Sequence, residues 1–228
     1  MKISGLQKLT LLDYPGKMAC TVFTYGCNFR CGFCHNALLV TEENNDNITE
    51  DEFFAFLKKR QGILDGVCIS GGEPTLQKDL PEFIAKIKAL GYSVKLDTNG
   101  SAPLVLKKLI GENLIDYVAM DIKNSPAKYD MTCGCEVDMN AVKESVSIIK
   151  QSGINHEFRT TTVREFHEKD DFSDIADWIG GNSRYYLQHF EDSGTLIGEN
   201  LSAFTKEEMA EFVDNIKDKL PNAQLRGV

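Results

Sequence analysis

The chain has 228 residues and a net charge of −9, with 42% hydrophobic and 26% charged residues. This length and composition are typical of a soluble globular protein, and we expect a single domain over residues 1–228. An acidic surface repels phosphate backbones, so general nucleic-acid binding is not expected. The first ten residues lack the apolar stretch of a secretion signal, and no apolar run approaches the ~20 residues that span a bilayer. We therefore expect a cytoplasmic protein that does not associate with membranes.

Short β-rich segments alternate with amphipathic helical segments along the chain. The β-rich runs lie at 19–25, 66–70, 92–97, 117–122, 154–163 and 184–190. Helical periodicity occurs at 50–59, 80–90, 103–111, 139–151, 168–179 and 206–220. Thr49 and Thr205 are candidate N-cap residues, and the polar residues 41–47 indicate a loop. Six strand–helix units predict a parallel sheet.

Two architectures are compatible with such a sheet, an open doubly wound fold and a barrel of six units. Reactive residues lie at the ends of most of the predicted strands, at Cys27, 71–73, 97–99, 121–123 and His189. A barrel gathers all strand ends around one axis, whereas an open sheet offers a single crevice. This distribution therefore favours the barrel.

Three of the seven cysteines form the motif C-x₃-C-x₂-C, at Cys27, Cys31 and Cys34. Thiolates are soft ligands that bind iron–sulfur clusters or zinc. A structural zinc site needs four ligands, and the adjacent His35 is poorly placed to be the fourth. Three thiolates leave one iron of a four-iron cluster open to a substrate. Zinc binding and three purely structural cysteines remain the alternatives.

The other four cysteines have less distinctive surroundings. Cys20 and Cys68 lie within apolar strands, where we expect them in the core. Cys133 and Cys135 are compatible with a redox pair, a second metal site or loop residues without a special role. We favour the last interpretation.

The cysteine spacing resembles the signature of the radical S-adenosylmethionine (SAM) superfamily, whose fold is a partial (β/α)₆ barrel. The flanking motifs make the resemblance narrower, at 11–17 (LLDYPGK), 70–76 (SGGEPTL), 96–100 (LDTNG), 120–123 (MDIK) and 225–227 (LRG). Together they resemble the activating proteins of anaerobic ribonucleoside-triphosphate reductase, and they are similar to the pyruvate formate-lyase activating enzymes. The resemblance covers nearly the whole chain.

The resemblance implies a site for one [4Fe–4S] cluster and SAM. Cys27, Cys31 and Cys34 would hold the cluster, and the open iron would bind the methionine end of SAM. The residues implied around SAM are Phe33, Cys34 and His35 along the adenine, Asn36 at the ribose or the loop, Gly71, Gly72 and Glu73 at the methionine amine, and Lys123 at the carboxylate.

Several further positions have two interpretations. By resemblance, Asp97, Thr98 and Asp121 would bind a monovalent cation next to SAM, although Asp97 could instead stabilise the turn that follows it. A late histidine that contacts SAM in relatives is matched loosely by His189, with Gln188 as its competitor. Arg159 is a candidate site residue because an inward arginine needs a partner. His156 and His167 are expected to have no functional role.

The implied activity is the formation of a glycyl radical on a partner enzyme. The expected partner is anaerobic ribonucleoside-triphosphate reductase, and the expected electron donor is a flavodoxin- or ferredoxin-type protein. Activation of another glycyl-radical enzyme is one alternative, and a small-molecule enzyme such as 7-carboxy-7-deazaguanine synthase is another. A non-enzymatic iron–sulfur electron-transfer or zinc-binding module is the third, but it does not explain a glycine pair and Lys123 at strand ends.

Overall fold

A computed structural model describes residues 1–41 and 48–228. Within these residues, eight strands form one sheet. The strands are β1 (Ile3–Thr10), β2 (Ala19–Thr24), β3 (Gly66–Gly71), β4 (Ser93–Thr98), β5 (Tyr117–Asp121), β6 (Asn155–Thr162), β7 (Arg184–His189) and β8 (Ala223–Arg226). Most of the loop predicted at 41–47 lies outside the described residues.

Neighbouring strands in the sheet follow the order of the chain from β1 to β8. The β1–β2 pair is antiparallel, and every later pair is parallel. A doubly wound sheet would reverse its strand order at a switch point, so the unbroken order confirms the partial barrel. The predicted strands correspond to β2–β7, while β1 and β8 are additional strands at the two edges.

The connections between strands are mainly helical. The helices are α1 (Ala37–Thr41), α2 (Glu50–Lys59), α3 (Leu80–Ala89), α4 (Pro103–Gly111), α5 (Tyr129–Cys133), α6 (Met139–Ser152), α7 (Lys169–Ile179) and α8 (Lys206–Ile216). Thr49 and Thr205 both form capping boxes, as predicted. Across 1–41 and 48–228, none of the helices combines the length and apolar character needed to cross a bilayer.

The two faces of the sheet have different chemistry. The outer face packs against the helices in an apolar core, where Phe53 of α2 stacks on Phe83 of α3 with ring centroids 5.3 Å apart. The inner face carries charged side chains, including Lys95 and Asp97 on β4 and Arg159 on β6. Residues two apart in a strand share a face, which is why apolar and charged residues alternate along these strands. The barrel therefore has a polar interior.

Candidate active site

A cavity of about 410 Å³ lies at the carboxyl ends of the parallel strands. It is lined by every residue that the sequence assigned to the cluster or to SAM: Cys27, Cys31, Phe33, Cys34, His35, Asn36, Gly71, Gly72, Glu73, Asp97, Thr98, Asp121, Lys123 and His189. Gln188 and Arg159 also line it. The sequence analysis did not assign Asp13, Phe29, Val40, Ser70, Asn99 and Thr161, which complete the lining. Asp13, Phe29, Ser70 and Asn99 lie within motifs that the sequence shows, and this position was the signal that could have identified them.

The three clustered cysteines lie in the loop that connects β2 to α1. The Arg30 side chain shapes this loop, because its Nη1 atom donates to the carbonyl oxygens of Cys27 at 2.6 Å and Phe29 at 2.8 Å. Asn99 fixes the loop to the end of β4, since its Nδ2 atom donates to Asn28 Oδ1 at 2.9 Å. The Cys31 side chain is buried, while Cys27 and Cys34 are partly exposed to the cavity.

The arrangement of these thiols differs from that of a mononuclear metal site. Across 1–41 and 48–228, no three His, Cys, Asp or Glu side chains meet as ligands of a single ion. A structural zinc ion requires such a meeting, whereas each thiolate of a four-iron cluster binds a different iron. All three thiols line one cavity, which is compatible with a cluster that binds each thiolate through a different iron.

Cys133 and Cys135 pack against the cysteine loop. Arg30 N donates to the Cys133 carbonyl oxygen at 2.8 Å, and Cys135 Sγ donates to the Asn28 carbonyl oxygen at 3.5 Å. A hydrogen bond with the fully buried Cys133 side chain lowers the pKa of Cys31 to about 7. These contacts give both cysteines a structural role, since they pack against the loop that carries Cys27, Cys31 and Cys34.

The glycine pair at the end of β3 is required by the neighbouring strand. A Cβ atom at Gly71 would overlap the Thr24 backbone, and one at Gly72 would overlap the carbonyl oxygen of Gly26. The sequence analysis attributed both glycines to close approach of SAM. The structure gives a further reason, which is the close approach of the β3 end to the β2 end, and both glycines also line the cavity.

Glu73 is 1% exposed, and its carboxylate is satisfied within the protein. Oε1 accepts hydrogen bonds from Thr75 Oγ1 at 2.5 Å and Thr98 Oγ1 at 2.8 Å, and Oε2 accepts one from Asn99 N at 2.6 Å. Burial raises the pKa of this carboxyl group, while these hydrogen bonds act in the opposite direction. Glu73 thus joins the end of β3 to the end of β4.

A row of alternating charges crosses the barrel interior. Lys95 pairs with Asp97, and Arg159 Nη1 lies 3.4 Å from Asp97 Oδ2. Arg159 Nε donates to Asp121 Oδ1 at 2.8 Å, and Lys123 Nζ lies 3.0 Å from Asp121 Oδ2. Burial alone would raise the pKa of both aspartates, but Arg159 and the lysines lower it below the ordinary value. Both carboxylates are therefore ionised and paired.

This row does not fit the predicted monovalent cation. The carboxylate oxygens that would coordinate it already contact the cationic side chains of Lys95, Arg159 and Lys123. The alternative role of Asp97 in the following turn is not seen either. Thr98 Oγ1 accepts the Gly100 N–H at 3.1 Å and closes that turn.

Three further residues of the cavity lining are His35, Asn36 and His189. The ring of His35 lies 6.1 Å from that of Phe190, and burial lowers the pKa of His35, so the imidazole is neutral at pH 7. Asn36 Nδ2 donates to the Gly71 carbonyl oxygen at 3.1 Å, which links the cysteine loop to β3. His189 Nδ1 is buried and has no hydrogen-bond partner among residues 1–41 and 48–228. An orphaned nitrogen on the cavity wall is suited to a ligand contact.

Two histidines that were expected to have no role differ from each other. His156 Nε2 lies 3.2 Å from Ser183 Oγ, away from the cavity. His167 is buried, and its Nε2 atom lies 2.9 Å from the Lys123 carbonyl oxygen. His167 thus has a structural role, since it supports the segment that carries Lys123.

The sequence of the chain matches the model of a known family over the part that builds this cavity. The model of the radical SAM superfamily matches residues 21–179. The chain belongs to the radical SAM superfamily. The matched region contains the three clustered cysteines, both aspartates and Lys123.

Individual relatives support the same assignment. A Methanocaldococcus jannaschii protein named "putative glycyl-radical enzyme activating enzyme" is 38% identical over 196 residues, which cover 83% of this chain and 80% of the relative. A radical SAM methyltransferase from Sphaerobacter thermophilus superposes with a TM-score of 0.74 at 14% identity, covering 96% of this chain and 68% of the other. A domain of pyruvate-formate lyase-activating enzyme from Bacteroides vulgatus gives a TM-score of 0.58 at 13% identity, with coverages of 71% and 99%. At these identities the two structures show the fold alone.

Membership of the radical SAM superfamily implies a [4Fe–4S] cluster and SAM as cofactors, and it identifies the protein as an enzyme. The cavity fits both groups chemically. Three thiols on one loop provide soft ligands, and the half-buried Lys123 amine and the orphaned His189 nitrogen provide polar groups.

Proposed function

We propose that this radical SAM enzyme activates a glycyl-radical enzyme, with anaerobic ribonucleoside-triphosphate reductase as its partner. The observation that carries the proposal is the convergence of the activase motifs on one cavity. The M. jannaschii relative, at 38% identity over most of both chains, supports the same class of activity. The motifs at 11–17 and 225–227 support the choice of the reductase within that class.

The proposed site divides the cofactors between two walls of the cavity. Cys27, Cys31 and Cys34 would hold the cluster, which supplies the electron that cleaves SAM to methionine and a 5′-deoxyadenosyl radical. Lys123 would hold the methionine carboxylate through a charge-assisted contact. Phe33, Cys34 and His35 would lie along the adenine, and the His189 nitrogen would contact SAM. The surrounding barrel excludes water from the reactive species.

A backbone glycine is a chemically suitable target for this site. Its Cα atom has no side chain to shield it, and loss of one hydrogen atom to the 5′-deoxyadenosyl radical leaves a glycyl radical and 5′-deoxyadenosine. The sheet ends at β1 and β8 without forming a closed ring, which supports entry of a partner segment from the side. We propose a flavodoxin- or ferredoxin-type protein as the source of the electron.

The test is electron paramagnetic resonance of the partner after anaerobic incubation with the reconstituted protein, SAM and a reductant. A glycine-centred signal on the reductase is expected with wild type and with Cys20→Ala, whose side chain is buried in the apolar core outside the cavity. Cys31→Ala should give no such signal. If the wild type instead activates pyruvate formate-lyase and not the reductase, the choice of partner is wrong. If SAM is cleaved but no glycyl-radical enzyme, these two or others, acquires a radical, the activase proposal is wrong.

A further inference from the structure

We propose that Arg159 serves as a built-in cation at the SAM site, in the place where a monovalent metal ion was expected from the sequence. This inference rests on the proposed binding of SAM in the same cavity. It assigns Arg159 as a positioning residue that holds the carboxyl ends of three strands together. It also predicts that the enzyme works without added sodium or potassium.

The position of the guanidinium group is the first support. Arg159 on β6 is the register partner of Asp121 on β5, and its Nε atom donates to Asp121 Oδ1 at 2.8 Å. The side chain extends past β5, so that Nη1 lies 3.4 Å from Asp97 Oδ2 on β4. Ser70 Oγ on β3 donates to the same Asp97 oxygen at 3.2 Å. The guanidinium therefore lies between the two carboxylates that a metal ion would bridge.

The local charge balance is the second support. Two carboxylates, Asp97 and Asp121, face three cations, Lys95, Arg159 and Lys123. The exposed fraction of the side chain is 1% for Lys95, 13% for Arg159 and 15% for Asp97, so screening by water is weak. A metal cation between the aspartates would add a fourth positive charge and compete for oxygens that are already paired. An arginine side chain also keeps its charge at any pH at which the protein is folded.

Two of the three paired cations reach the cavity wall. Arg159 and Lys123 both line the cavity. A carboxylate ligand at this wall would be attracted by both groups, and the planar guanidinium fixes the orientation of Asp121, which in turn orients the Lys123 amine. Arg159 would thus act on SAM through Asp121 and Lys123.

The experiment compares salts at equal ionic strength. SAM affinity of the reconstituted wild type is measured by equilibrium dialysis in potassium, sodium and tetramethylammonium chloride, and so is the unfolding temperature of the protein before reconstitution. The SAM affinities in the three salts should agree within about twofold. The unfolding temperature should also be the same in the three salts. A potassium or sodium salt that tightens SAM binding by on the order of tenfold would overturn the proposal.

Two variants complete the test. Arg159→Ser opens a polar space between the carboxylates, and SAM affinity in tetramethylammonium should fall by on the order of tenfold, with partial recovery in potassium or sodium. Arg159→Lys retains a cation and should remain insensitive to the salt. Wild-type affinity of Arg159→Ser in tetramethylammonium would contradict the proposal. If Arg159→Ser does not fold, the measurements on the wild type and on Arg159→Lys still test the proposal. None of these measurements involves a partner enzyme, so a failure of glycyl-radical formation is a separate result.

Discussion

Lys123→Ala is the substitution that probes the SAM wall of the cavity most specifically. The Lys123 amine lies 3.0 Å from Asp121 Oδ2, and the side chain is 18% exposed. Burial alone would lower the pKa of this amine, but Asp121 raises it above the ordinary value, so the group is a cation at neutral pH. Truncation removes this charge from the cavity wall and leaves the cysteine loop unchanged.

The expected size of the effect follows from the contacts that remain. Asp121 still accepts a hydrogen bond from Arg159 at 2.8 Å, so truncation does not leave it without a partner. The folded state should therefore lose only about 1–3 kcal/mol. A charge-assisted hydrogen bond to the SAM carboxylate is worth about 1.5–3 kcal/mol, which corresponds to a loss of affinity on the order of tenfold to a hundredfold.

The assay is SAM affinity of the reconstituted protein with its iron content determined in parallel. Lys86→Ala is the matched control, because Lys86 also forms an ion pair, with Glu50 at 2.8 Å, but lies outside the cavity. We expect both variants to keep their iron and only Lys123→Ala to bind SAM weakly. Wild-type affinity in Lys123→Ala would refute the assignment of this residue to the carboxylate of SAM.

Three further predictions concern the cluster loop and the strand ends. Cys27→Ala, Cys31→Ala and Cys34→Ala should each lose the roughly four irons of a reconstituted cluster, whereas Cys133→Ala should retain them, as iron analysis would show. Retention of iron in all three ligand variants would exclude the cluster assignment. Glu73→Gln should lower the free energy of unfolding by about 1–3 kcal/mol in denaturant titrations, because an amide NH₂ group would face the donors that now bind the carboxylate. An unchanged denaturation midpoint would contradict the role of Glu73 in joining β3 to β4. Gly72→Ala should either not fold at all or have a much lower unfolding temperature. At Gly111 a Cβ atom meets no neighbour within 4 Å, so Gly111→Ala should raise the free energy of unfolding by about 0.5–1 kcal/mol. Equal melting temperatures for the two alanine variants would disprove the steric explanation.

The parts of the fold that the sequence predicted are those with strong local patterns. β2, β3 and β5 are almost entirely buried on both faces, which gives the continuous apolar runs that identify interior parallel strands. β1 contains an exposed stretch in its second half, and β8 has four residues, so neither has such a run. Both strands form because a neighbouring strand offers backbone hydrogen bonds, and that information is not local. α5 has five residues, too few to show helical periodicity.

The candidate site was predictable to the extent that its residues follow strand ends. Cys27, Asp97 and Lys123 all lie at or just after the ends of predicted strands, and the barrel places such positions around one cavity. The partners of these residues depend on strand register instead. The contact of Arg159 with Asp97 crosses from β6 to β4, and no sequence spacing encodes it. The contact between Cys133 and Arg30 likewise depends on how α5 packs against the cysteine loop.

The most direct measurement is the cleavage of SAM by the reduced, reconstituted protein in the absence of any partner. If Cys27, Cys31 and Cys34 hold a cluster beside a SAM site in the same cavity, 5′-deoxyadenosine and methionine should appear in equal amounts, and Cys31→Ala should form neither. If the protein carries its full complement of iron, is reduced and leaves SAM intact, then the cavity is not a radical SAM active site.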